Sequence, residues 1–226
     1  MDFIFWDFLQ HSVSYQGLYK PHALCTETIM KDLLFGLLLA LFIFPLQALP
    51  LAGQDKTAIC AGCHGAQGIS MNPDWPNLAG QHATYLAKQL RDYQQATTRN
   101  APIMTQLVMQ LSQEDINDIA EYYASLPLVK GKTPKKYLAR GEELYRRGDL
   151  TQHITACIAC HGPQGTGNAQ AGFPVLSGQQ PAYTVQQLMA FKHKTRHNDL
   201  NSIMQDISAR MSHEDMEAVA FYLLSL

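Results

Sequence analysis

Apolar residues recur at helical spacing in several stretches of the chain, and in one stretch they run together without a break. Between Gln81 and Gln95 the pattern Tyr85, Leu86, Gln89, Leu90 and Tyr93 predicts one amphipathic helix, and Tyr183 to His193 repeats it. Ser112-Gln-Glu-Asp is a capping signal ahead of the face Ile116, Ile119, Ala120 and Tyr123. Ser212-His-Glu-Asp stands in the same way before Met216, Val219, Ala220 and Leu223. A further helix is predicted over Tyr137 to Arg147 with Gly141 inside it. An interior glycine costs about 1 kcal/mol against alanine. Gly141 is therefore read as a point of close crossing over the final helix, near Phe221 or Tyr222. No strand pattern competes, so the expected class is all-α.

These elements fall into two matching halves. Trp75-Pro-Asn-Leu-Ala-Gly-Gln81 pairs with Phe173-Pro-Val-Leu-Ser-Gly-Gln179 at an offset of 98, and the two capping signals pair at 100. Self-similarity of this kind marks a duplicated unit. Residues 53–126 are read as the first domain and 137–226 as the second. Pro127 to Lys136, with two prolines, Gly131 and four lysines, is the expected linker.

The unbroken apolar run is Leu33 to Leu46, preceded by Met-Lys-Asp and followed by small residues to Ala52. It is shorter than the ~20 residues of a membrane span and reads as a cleaved secretory signal over residues 30–52. Residues 1–29 are read as an extension upstream of the true start at Met30. Export implies the periplasm.

Composition changes this picture little. The 226 residues are 46% hydrophobic with a net charge of −2, which argues against nucleic acid as a partner. The cysteines change it more. Four of the five form Cys60-Ala-Gly-Cys63-His64 and Cys157-Ile-Ala-Cys160-His161, and only Cys25 is left over. Cys-x-x-Cys-His is the attachment signature of a c-type haem: two thioethers anchor the porphyrin and the histidine offers its imidazole to iron. A redox disulfide or half a zinc site is the rival reading of each pair. The immediate His and the repeat favour two covalently bound haems, with Gly- and Pro-rich loops such as 162–167 pressed against them.

Each iron also needs a second axial ligand. Met71, Met104 and Met109 are the candidates in the first half. Met71 lies only seven residues beyond His64, on the proximal side. The repeat offset of 100 carries Met104 onto Met204 but Met109 onto Ala209. Met104 and Met204 are thus the chosen ligands beside His64 and His161, with His193 and His197 as rivals at the second iron. Met109, Met189, Met211 and Met216 read as core filler. His193, Lys194, Arg196 and His197 read as a solvated basic face, and His82, His153 and His213 as surface. Carbonyls near Pro76 and Pro174 are candidates to hold the second ring nitrogen of each axial histidine. Tyr85, Tyr183, Trp75, Arg99 and Arg196 are candidate partners of haem propionates.

The paired motifs, the Pro-x-Leu-x-Gly-Gln elements at 76–81 and 174–179, and the Asn100–Met104 and Asn198–Met204 loops resemble the dihaem cytochrome c4 family across nearly all of residues 53–226. So do the closing helices with Tyr122-Tyr123 and Phe221-Tyr222. The resemblance implies two tandem class I cytochrome c domains related by a pseudo-twofold axis, each wrapped around one haem. It also implies a periplasmic electron carrier, soluble or loosely membrane-associated, whose partners are a membrane cytochrome complex or terminal oxidase. The Asn198–Met204 loop departs from the pattern by two extra residues.

Charge adds one feature. Residues 53–126 carry 4 Lys and Arg against 7 Asp and Glu, a net −3, and residues 127–226 carry 11 against 8, a net +3. A field polarised end to end can orient a carrier on its partners. An electron shuttle with no catalytic residue is the leading expectation. The alternative is the cytochrome subunit of a periplasmic dehydrogenase, such as a sulfide-oxidising flavocytochrome, and a catalytic dihaem cytochrome comes third.

Overall fold

Ser112 and Ser212 start their helices as the capping signals require. Each hydroxyl accepts from the backbone N–H three residues on, and Asp115 or Asp215 returns the bond to the serine N–H. The computed structural model describes residues 53–226, which form one compact unit. The stretches read as extension and secretory signal, residues 1–29 and 30–52, lie outside the described residues.

In chain order the helices are α1 (Ala58–His64), α2 (Ala83–Gln95), α3 (Pro102–Val108), α4 (Gln113–Ser125), α5 (Lys135–Arg146), α6 (Ile158–His161), α7 (Pro181–Lys192), α8 (Ile203–Ala209) and α9 (His213–Ser225). Short 3-10 turns at Asp55–Thr57 and Leu200–Ser202 precede α1 and α8. Among the described residues β structure is limited to isolated bridges.

Each half has its own core. In the first, α2 and α4 pack Leu86 against Ile116, Ile119, Ala120 and Tyr123. In the second, α9 lies between α5 and α7, and its Met216, Val219, Tyr222 and Leu223 meet Leu144, Tyr145, Ile154 and Leu188. Close helix approach requires glycine at two points. A Cβ on Gly141 would stand 2.3 Å from the Ala218 carbonyl oxygen and 2.6 Å from Tyr222 Cβ. A Cβ on Gly53 would meet the equivalent atoms of α4, Asp118 O at 2.0 Å and Tyr122 Cβ at 2.9 Å. The expected crossing is therefore at Tyr222, while Phe221 stacks on Tyr137 with ring centroids 4.3 Å apart.

The stretch 127–136 is less of a free linker than its composition suggests. Helix α5 begins two residues inside it, at Lys135. Gly131 N donates to Leu224 O at 2.8 Å and Thr133 Oγ1 to Phe221 O at 2.7 Å, so the segment is pinned along the end of α9.

Three further expectations need correction. Met109 is not core filler: it caps the C-terminus of α3 and is 60% exposed, because Val108 takes the buried position. Arg196 is not on a solvated face but buried, since an antiparallel bridge to Arg99 seats it between the halves. His82, at the N-cap of α2, is half-buried rather than superficial, with its Nε2 enclosed.

Candidate functional site

One cavity of about 680 Å³ runs through both halves. Cys60, Cys63, His64 and Met104 stand on its wall in the first half. Cys157, Cys160, His161 and Met204 stand there in the second. The lining is largely apolar, from Leu86, Leu90 and Val108 on one side to Leu188, Met211 and Leu223 on the other.

Local structure explains how each motif reaches that wall. Helices α1 and α6 are single short pieces that end on the histidine, stopped by Gly65 and Gly162 in backbone geometry open to glycine. The ring is then fixed from behind. His64 Nδ1 donates to Pro76 O at 2.9 Å and His161 Nδ1 to Pro174 O at 2.9 Å, because a carbonyl can only accept. That leaves Nε2 of each ring for a ligand. Burial holds both imidazoles below the ordinary histidine range, partly opposed by the proline carbonyls. Neutral imidazole is the form that binds iron. Burial also pushes the Cys157 thiol up to about 12 and raises that of Cys60. These thiols are embedded in an apolar wall, unlike the exposed, activated thiol of a redox disulfide. Among the described residues no group of three or more His, Cys, Asp and Glu is placed to hold a metal ion.

Met104 lies in the first turn of α3 and Met204 in the first turn of α8. The two extra residues ahead of Met204 are absorbed in the turn Leu200–Ser202, where Asn201 and Ser202 take left-handed backbone angles. The loop is longer, yet Met204 still reaches the cavity. Met71 is 97% exposed, and His193 and His197 are exposed and stand outside the cavity wall.

Between the halves the candidate propionate residues cross over. Arg99 Nη2 donates to Tyr183 Oη at 2.8 Å and Arg196 Nη2 to Tyr85 Oη at 2.9 Å. Both guanidinium groups line the cavity, at 4% and 7% exposure, and among the described residues neither pairs with a carboxylate. Two buried cations without a carboxylate call for anionic ligand groups beside them. Trp75 is 38% exposed at the cavity mouth.

The residues thus fit two covalently held haems: paired thiols, a fixed neutral imidazole, a thioether on the same wall, an apolar slot and buried cations for carboxylates. Sequence reasoning missed two features. Gly53 repeats the role of Gly141, and Gln81 and Gln179 reach across the interface. The duplicated Gly-Gln pairs at 80–81 and 178–179 were the available signal for the second.

Comparison with known proteins agrees with this geometry. The Cytochrome c family model matches residues 53–127 and again 138–226. The chain is 43% identical to cytochrome c4 of Pseudomonas aeruginosa over 77% of its own length and 87% of that protein. It is 37% identical to the thiosulfate dehydrogenase electron acceptor of Stutzerimonas stutzeri, covering 74% of this chain and 78% of that one. The crystal structure of reduced recombinant cytochrome c4 from Pseudomonas stutzeri superposes with a TM-score of 0.75 at 41% identity, covering 77% of this chain and 97% of that one. The two tandem domains, each with its Cys-x-x-Cys-His site for covalently attached haem, place this chain in the cytochrome c4 family.

Proposed function

We propose that the protein is a periplasmic carrier of single electrons, delivering them from a respiratory donor to a membrane cytochrome complex or terminal oxidase. The observation that carries the reading is the shared cavity, with Cys-x-x-Cys-His and one methionine on its wall in each half. Bound haem supplies one-electron chemistry at iron. The chain's part is to hold it. Cys60, Cys63, Cys157 and Cys160 would form the thioethers, and His64 with Met104 and His161 with Met204 would hold the two irons. An iron held on both sides by the protein would leave no place for substrate, the arrangement of a carrier. Arg99 and Arg196, tied to Tyr183 and Tyr85, would balance haem propionates between the two halves.

Relatives named as thiosulfate dehydrogenase electron acceptors favour a second reading, in which the electron donor is a sulfur-oxidising dehydrogenase. It changes the donor and leaves the site unaltered.

The charge division of −3 in residues 53–126 and +3 in residues 127–226 supports donor and acceptor docking on different domains. Lys130, Lys132, Lys135 and Lys136 are exposed and clustered around the start of α5. Neutralising all four should slow one direction of electron transfer by about tenfold at low salt and leave the other nearly unchanged. Rates of reduction and oxidation measured against ionic strength test this. Equal losses in both directions would contradict it.

A further inference from the structure

The peptide joining Pro76 to Asn77 is hydrogen-bonded at both ends, and the two partners come from different halves. Its carbonyl accepts from His64 Nδ1 at 2.9 Å. Its N–H donates to Gln179 Oε1 at 2.8 Å, across the interface. The peptide joining Pro174 to Val175 repeats the arrangement in reverse. Its carbonyl accepts from His161 Nδ1 at 2.9 Å, and its N–H donates to Gln81 Oε1 at 2.9 Å.

Both glutamine amides are locked in that orientation. Gln179 Nε2 donates to Asn77 O and Gln81 Nε2 to Val175 O, each at 2.9 Å. Each Oε1 also accepts the next backbone N–H, from Gln180 at 2.9 Å and His82 at 3.0 Å. Flipping either amide would set N–H against N–H, so chemistry alone fixes which atom faces the peptide.

A peptide is one conjugated unit. Drawing on its N–H shifts charge to its oxygen, and hydrogen bonds in such a chain strengthen one another. A stronger acceptor behind an axial histidine makes the ring more basic, which favours the oxidised iron. We propose that Gln81 and Gln179 are positioning residues that act across the interface: each lowers the potential of the haem in the other half by polarising the peptide that holds that haem's histidine. The proposal rests on His64 and His161 being axial ligands. An ordinary interface clamp would give the same contacts, yet it would not tie each glutamine to the distant haem.

The test uses the holoprotein with Gln179→Met and Gln81→Met, which keep length and remove the amide. The potential of each haem is followed through its own hyperfine-shifted resonances. Gln179→Met should raise the His64 haem by about threefold in the redox equilibrium, or ~28 mV at the one-electron value of 59 mV per tenfold. The His161 haem should stay in place. Gln81→Met should give the mirror result. Shifts that are absent, equal at both haems, or confined to the glutamine's own half overturn the proposal. Should a Met variant fail to fold, Gln179→Glu keeps an acceptor, made stronger by its charge, and must lower the His64 haem more than the His161 haem; any other outcome overturns the proposal. The wild-type imidazole ring protons report axial ligation separately. Their absence would overturn the axial reading itself, whereas their presence without crossed shifts overturns only the role of the glutamines.

Discussion

Met104 and Met204 sit in the first turns of α3 and α8, on the wall of the shared cavity. Thioether sulfur favours reduced iron, while imidazole favours oxidised iron. Met104→His should therefore lower one of the two potentials, on the order of 0.1 V within the ~0.8 V that axial ligation spans. The other potential should barely move, and Met204→His should select the opposite haem. A redox titration of each variant checks this, and a fall in both potentials from either single change would contradict separate ligation. At this scale the sequence was most legible where the repeat could arbitrate. An offset of 100 preferred Met104 to Met109, and Met104 lines the cavity whereas Met109, expected in the core, is 60% exposed at a helix end. It was least legible for Arg196. Its neighbours Lys194 and His197 are exposed, and its own burial depends on Arg99, 97 residues away.

Helices are where pattern and structure agree best. The serine caps start α4 and α9 at the expected residues, because a capping box is a local device that needs no tertiary contact. Contacts between helices are harder to read. Gly141 was visible as an anomaly inside a helix, whereas Gly53 precedes its helix and raised no such flag, although both abut the same atoms of α9 and α4. Gly141→Ala should destabilise the second domain by ~1–3 kcal/mol, the usual range for overpacking. The obstructing atom is the Ala218 carbonyl oxygen at 2.3 Å, which cannot swing aside as a side chain can. Denaturant unfolding followed in the far ultraviolet measures the loss. An unchanged or increased midpoint would show that α5 and α9 separate freely.

At the scale of the whole molecule, the two halves are held in large part by reciprocal contacts. Arg99 meets Tyr183 as Arg196 meets Tyr85, and Gln81 meets Val175 as Gln179 meets Asn77. Tyr183 N also donates to Pro73 O at 3.1 Å and His197 N to Thr98 O at 2.9 Å. Such an interface is rich in buried polar groups that must all be satisfied, so it favours one register of the halves over any other. That register joins the two haem sites in one cavity. The fold of each half was readable from helical spacing and the haem motif, but the interface was not. Its residues are separated by about a hundred positions, and only the duplicated motif hinted that they serve a common purpose. Under the proposed assignment, with each haem held by His and Met, the molecule would be a carrier with two stations. The most direct measurement of that claim is an optical redox titration of the purified oxidised protein, following the weak far-red sulfur-to-iron band. Two one-electron steps at high potential, with the band lost in proportion at both, are the predicted result. A haem that lacks the band and titrates at low potential would contradict the paired His–Met account and reopen a catalytic role.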